Sequence, residues 1–277
     1  MTRRPLVVLL ALFAIGLGFS GTASAVAAAK DALVIAVPGG EKTFSLADLK
    51  KKLKTVTVTI DDPVYHAKKT FDGFRLPDVL ALAGLDPNSA NDEIVFIAKD
   101  GYSPNTSFES LRAHAALLAY QEHGRAPGRF GKVDQGKAKI SPAPYYLVWE
   151  EGKALESVPW PYQLVKIEVV QFAKKYAALY PAGEGEDSGA MKGFRIFKTE
   201  CIRCHSINLE GGDLGPELNV PKNVVEYWDR KTLKEFIANS GAFRARDKMP
   251  PFPQLKPEDL DHILEYFDFM KTKKAKL

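Results

Sequence analysis

The segment CIRCHS places Cys201, Cys204 and His205 together, and these are the only two cysteines in a chain of 277 residues. Two thiols three residues apart suit three chemistries: a redox disulfide, half of a zinc site, or two thioether bonds to one porphyrin. A redox pair of the thioredoxin kind belongs to an α/β fold and makes no use of the histidine, whereas the surrounding sequence reads as helical. A closed zinc site needs four ligands, and the chain offers no other cysteine. Thioether attachment uses every residue of the motif, because the thiols reach the two vinyl groups and the adjacent His205 is brought under the ring to bind iron. The spacing predicts one heme c per chain.

Iron held by a histidine needs a second axial ligand if it is to carry electrons and not bind substrate. Beyond the first residue the chain has three methionines, Met191, Met249 and Met270. Met191 precedes the motif on the helix leading into it, and Met270 continues an apolar helical stripe, so both read as core. Met249 sits in RDKMPPFPQL, where Pro250, Pro251 and Pro253 keep the backbone out of a helix and leave the thioether free to face iron. His205 and Met249 are the predicted axial pair. Arg244, Arg246 and Lys248 beside it form a candidate docking rim for an acidic partner.

The elements that must position these groups are helical. Ala190, Phe194 and Phe197 make one stripe, with Gly193 leaving room for a crossing helix; Leu233, Phe236 and Ile237 make a second; Leu260, Ile263, Leu264, Phe267 and Met270 make a third after Pro257. Upstream, a Gly- and acid-rich stretch over 176–188 reads as a linker. Residues 31–175 read differently. ALVIAV, TVTVTI, EIVFIA, YYLVWE and LVKIEVVQF have the strand signature, and SLADLKKKL, LPDVLALAGL and SFESLRAHAALLAY read as helices with caps at Ser45 and Ser107. The expected organisation is multidomain: an N-terminal α+β domain with a mixed sheet, and an all-α domain over 189–277.

Residues 1–25 combine Arg3 and Arg4, an apolar run from Leu6 to Phe19 and a small-residue end at Ala23-Ser24-Ala25, the pattern of a secretory leader. Its removal predicts a periplasmic protein without stable membrane insertion, in the compartment where heme c is attached. The formal charge of +4 includes those two arginines, and the remaining +2 is too near balance to favour nucleic acid.

With these parts in order, residues from about 188 to 272 resemble a class I monoheme cytochrome c: a helix with Gly193 and Phe197, then CIRCH, LGPELNV, KMPPF, and a terminal helix with Tyr266. The resemblance implies that Gly193 meets the last helix near Tyr266, that Pro216 orients His205 through its carbonyl, and that Pro216 and Tyr266 pack at the heme. Residues 31–172 resemble the molybdopterin-binding fold of the sulfite oxidase superfamily, through DDPVYHAKKTFDGFRLPDVLALAGL, VFIAKDGYSPNTSFESL and SPAPYYLVW. Enzymes of that superfamily bind molybdenum through a cysteine, and this region has none. The departure implies a binding or docking module without molybdopterin. In YHAKK, His66, Lys68 and Lys69 form a candidate anion site; His114 reads as a packed or surface residue and His123 as part of a loop.

These readings converge on an electron carrier more than a catalyst, exchanging single electrons with donor and acceptor proteins. The alternative is an oxidoreductase, or the heme subunit of a dehydrogenase, whose first domain binds substrate or pterin and feeds the heme.

Overall fold

The computed structural model describes residues 32–86, 93–126, 128–135, 138–155, 158–245 and 247–277. The leader over 1–25 and Arg246 lie outside the described residues. The N-terminal domain contains β1 (Leu33–Val37), β2 (Gly40–Phe44), α1 (Leu46–Lys52), β3 (Val56–Asp62), β4 (Ala67–Arg75), α2 (Leu76–Leu82), β5 (Glu93–Ala98), β6 (Asn105–Ser107), α3 (Phe108–Ala113), β7 (Ala116–Glu122), β8 (Val133–Gln135), β9 (Ala138–Ile140), β10 (Tyr146–Trp149), β11 (Leu164–Val170) and α4 (Phe172–Lys175). The C-terminal domain is built on α5 (Gly189–Ile196), α6 (Arg230–Ala238) and α7 (Pro257–Lys271), joined by short turns and loops.

The expected mixed sheet is in fact one of two main sheets. A five-stranded sheet runs β2-β1-β11-β5-β6, with β1 parallel to β11 and the other pairs antiparallel. A four-stranded antiparallel sheet runs β10-β7-β4-β3. Between them lies the main core, where Leu33, Ile35, Ile94, Phe96 and Ile167 meet Phe74, Leu118, Leu147 and Trp149, closed by Leu49, Val79, Leu80 and Phe108 from the helices. Ser45 caps α1 in a full capping box with Asp48, and Ser107 accepts a hydrogen bond from the Ser110 N–H. The third predicted helix is corrected: it stops at Ala113, and the residues after it form β7.

A polar cluster lies at β4. Asp72 is buried and accepts hydrogen bonds from Thr57 Oγ1 at 2.7 Å, Gln121 Nε2 at 2.8 Å and His123 Nδ1 at 2.9 Å. Burial opposes ionisation there, but the donors from Thr57, His123 and Gln121 outweigh it and hold the carboxyl below its ordinary range. A depressed folded pKa contributes stability that is present above the unfolded value of about 3.9 and is lost as pH falls through the folded value. Asp72→Asn should therefore cost about 1–3 kcal/mol at pH 7, and the gap to wild type should narrow below about pH 4. Urea unfolding at pH 7 and pH 3 measures both.

The segment expected to be a linker is partly structural. Tyr176 and Leu179 are buried and join Phe194, Phe197, Ile263, Leu264 and Tyr266 in the C-terminal core. The Leu179 carbonyl accepts from the Tyr266 hydroxyl at 2.8 Å, and the Ala178 carbonyl from Asn208 Nδ2 at 3.2 Å. The same core takes in Val95 and Val170, on β5 and β11 of the five-stranded sheet. The two domains thus share apolar contacts instead of hanging on a free tether.

Helix α5 crosses α7 closely. A Cβ on Gly193 would lie 2.0 Å from the His262 carbonyl oxygen and 2.8 Å from Tyr266 Cβ, the approach expected for this glycine. The stretch after α5 winds as a π-helical turn, Phe197–Cys201, and delivers the cysteine motif. A two-residue ladder, Ser206–Ile207 with Glu210–Gly211, follows where no strand was expected.

Candidate functional site

Cys201 and Cys204 are free thiols, half-buried, and both line a cavity of about 960 Å³ that also contacts His205 and Met249. Burial pushes the Cys201 thiol up to about 12 and the Cys204 thiol up to about 11. A redox dithiol works through a thiol lowered toward neutrality, and burial acts in the opposite direction here. Among the described residues no three His, Cys, Asp or Glu side chains converge to hold a metal ion, so a zinc site at these cysteines lacks its remaining ligands.

His205 is held at one nitrogen and open at the other. Its Nδ1–H donates to the Pro216 carbonyl at 2.8 Å, which fixes the tautomer and leaves Nε2 as an acceptor. Burial lowers the imidazole pKa, so the ring is poised as a neutral ligand. Gly215 packs flat on this ring: a Cβ there would come within 2.5 Å of His205 Cε1. Glu217 Oε1 accepts the backbone N–H groups of Asn208, Asn219 and Val220, and Asn208, Asn219 and Asn223 form a buried chain of side-chain hydrogen bonds. Asn223 Nδ2 also reaches the Phe267 carbonyl at 2.9 Å. This network pins the loop below the histidine to α7.

Met249 faces the same cavity from the loop between α6 and α7. Ser240 Oγ donates to its carbonyl at 2.9 Å, and its N–H donates to Asp247 Oδ1 at 3.2 Å. Leu218, Val224, Leu233, Ile237, Ile263 and Phe267 give the cavity an apolar lining, while charged groups such as Glu200, Arg203, Arg244 and Asp247 also border it. Two thiols, a tautomer-locked imidazole and a thioether around one cavity are the donor set that a covalently held heme requires. The residues present fit it.

Residues 188–267 match the family model of the cytochrome c oxidase, cbb3-type, subunit III. A cytochrome c of Cannabis sativa is 30% identical over 93 residues, which is 27% of this chain and 83% of the relative. Through this region the chain belongs to the cytochrome c family. A cytochrome c of Cochliobolus lunatus is 28% identical over 101 residues, 30% of this chain and 94% of that protein. Among solved structures, the sulfane dehydrogenase SoxCD from Paracoccus pantotrophus aligns with a TM-score of 0.35 and 16% identity, over 51% of this chain and 38% of that one. Membership implies heme c and electron transfer for the cytochrome c domain.

The remaining sequence expectations divide. Pro216 supplies its carbonyl to His205 as expected. Tyr266 is fully buried in the α5–α7 crossing against Phe194 and Phe197, and Ile263 and Phe267 on the same helix line the cavity. Arg244 and Lys248 are exposed at the cavity rim. The anion cluster is not assembled. Lys69 pairs with Glu122 at 2.9 Å and lies over the Tyr65 ring, while His66, at φ +51 in the β3–β4 turn, and Lys68 are exposed. Strand alternation sends Lys68 and Lys69 to opposite faces. His114 sits at the end of α3, bonded to Glu151 at 3.0 Å and edge-on to Trp149; His123 follows β7 and serves Asp72.

Sequence reasoning missed the far wall of the cavity. Val64, Tyr102, Gln135, Trp160 and Tyr162 of the N-terminal domain line it together with the cysteine motif. No periodicity within either domain encodes a contact between them.

Proposed function

We propose that this protein is an exported, periplasmic monoheme c-type cytochrome that passes single electrons between redox-partner proteins, with its N-terminal domain as a docking and binding module. The observation that carries the reading is that Cys201, Cys204, His205 and Met249 line one cavity, with His205 held through Nδ1 and its Nε2 left free. Cys201 and Cys204 would hold the heme covalently, and His205 and Met249 would ligate its iron. Heme bound in this way supplies a one-electron Fe(III)/Fe(II) couple. The protein's share is positional. Pro216 keeps Nε2 free, the Asn208–Asn219–Asn223 chain keeps the loop from shifting, and the apolar side chains of the lining disfavour water. With His205 and Met249 both bound to it, the iron would offer no site for substrate, and it would supply single-electron transfer without bond chemistry.

The leader supports export, and no helix among the described residues is long and apolar enough to cross a membrane. The N-terminal domain is read as a relative of the molybdopterin-binding fold that lacks the cofactor, since residues 31–175 contain no cysteine. A second reading, the heme subunit of a periplasmic dehydrogenase or a two-domain oxidoreductase, draws support from the N-terminal residues that line the heme cavity.

Metal analysis and a spectroelectrochemical titration of the purified chain separate the two. One iron per chain, no molybdenum and a single reversible one-electron wave are expected. Stoichiometric molybdenum, or a second redox wave, would transfer the weight to the enzyme reading.

A further inference from the structure

The N-terminal domain touches the cytochrome c domain at the heme-attachment motif itself. In the turn between β5 and β6, the Ser103 N–H donates to the Arg203 carbonyl at 2.8 Å, between the two cysteines in sequence, and the Asp213 N–H reaches the Gly101 carbonyl at 3.4 Å. Gly101 has φ +84, and a Cβ there would lie 1.4 Å from Asp213 Oδ1, so the turn sits flush on the partner domain. Lys198 ties a second point: it pairs with Glu93 at 2.7 Å and its ammonium lies 4.1 Å from the centroid of the Phe172 ring. Behind the turn, Tyr102, Trp160 and Tyr162 face the same cavity as Cys201, Cys204 and His205. The Trp160 indole N–H is already satisfied by the Leu155 carbonyl at 3.1 Å, which leaves its ring as an apolar surface.

We infer that the N-terminal domain completes the heme pocket, with Tyr102, Trp160 and Tyr162 forming the wall beside the attachment loop, so that this domain sets both the solvent access and the reduction potential of the heme. The inference rests on the reading that Cys201 and Cys204 hold heme. Its physical basis is solvation. The oxidised centre carries one more positive charge than the reduced one, and water stabilises that charge better than aromatic rings do. The three rings in place of water therefore favour the reduced form, against the opposite pull of the Asp100 carboxylate that also lines the cavity. Burial raises the Tyr102 and Tyr162 pKa values, so both phenols stay neutral at physiological pH and add no charge of their own.

The test uses the full-length, heme-loaded chain with Trp160→Ala, Tyr102→Ala and the double variant. Two quantities are read: the midpoint potential, and the second-order rate of reduction by hexaammineruthenium(II), a small hydrophilic reductant. Opening the wall should shift the equilibrium toward the oxidised form about tenfold in the double variant, a fall of about 59 mV for a one-electron couple. The rate with the small reductant should rise in the same order. Tyr102→Phe, which keeps the ring, should match wild type in both. Tyr162→Leu, a milder change that retains an apolar side chain, provides an independent reading if an alanine variant does not fold. Unchanged potential and unchanged rate in folded variants that retain the c-type spectrum would overturn the inference while leaving the heme assignment intact. A wild-type chain without a c-type spectrum would overturn both.

Discussion

In Met249→Ala, the weak long-wavelength methionine-to-iron band should disappear, the covalent c-type spectrum should persist, and added imidazole should bind more tightly than in the wild type. The loop should survive the substitution. Its backbone is held by Ser240 and Asp247, and Pro250 and Pro251 follow directly. The other methionines cannot substitute: Met191 and Met270 are 2% and 1% exposed, packed in the helical core away from the cavity. Because Met/His ligation raises the potential, removing the thioether should lower it by more than one tenfold step, about 59 mV each. Optical spectra with and without imidazole, and a potentiometric titration, provide the readouts. If the band and the potential are unchanged in the variant, Met249 is not the ligand.

Gly193→Val should be the most damaging single substitution in the C-terminal domain. A valine removes the entropy penalty of a helical glycine, a gain below about 1 kcal/mol. Against this, the first carbon alone meets the His262 carbonyl oxygen at 2.0 Å and its carbon at 2.5 Å. Those are backbone atoms inside α7, and no rotamer change relieves them. Helices α5 and α7 must separate, which also pulls Phe194 and Phe197 from Tyr266. Overpacking of this kind ordinarily costs about 1–3 kcal/mol, and an immovable neighbour places it at or above the upper end. Thermal unfolding followed at the heme absorbance should show a midpoint lower by about 4 °C or more per kcal/mol lost if the domain unfolds on its own scale. A variant as stable as wild type would mean that the crossing has room for a side chain at position 193.

The chemistry of the site was the most legible part of the sequence, because it is local. Cys201, Cys204 and His205 are consecutive in space as in sequence, and Pro250 and Pro251 isolate Met249 from any helix. The helical stripes around Gly193 and α7 were equally readable, each helix burying a single face. Strand β7 was not. Its residues Leu118 and Tyr120 face the core between the sheets, while Leu117 and Ala119 face a second core with Phe71, Tyr146 and Val148. A strand buried on both sides shows no alternation, and Ala-Ala-Leu-Leu-Ala reads as helix. Strand β4 was hidden for a different reason: two lysines open it and its register shifts between Asp72 and Gly73. The linker was misjudged from its glycines, since the buried side chains of Tyr176 and Leu179 lie at its start. The cavity-lining role of Tyr102, Trp160 and Tyr162 lies beyond what any window of sequence contains, because the cavity they line is shared with the other domain.

The parallel pairing of β1 with β11 also has a consequence in time. Val34, Ile35 and Ala36 find their partners only at Lys166, Ile167 and Glu168, so the first strand of a nascent chain must wait for nearly the whole domain before its sheet can close. Long-range pairing of this sort forms slowly. Cys201 follows about thirty residues behind that last strand, so the cysteines reach the assembly machinery at about the moment the first domain becomes able to fold. Ser103 then settles on the Arg203 carbonyl, inside the loop that carries both cysteines. The connectivity thus makes closure of the first domain's sheet a late event, close in time to the appearance of the cysteine motif it packs against.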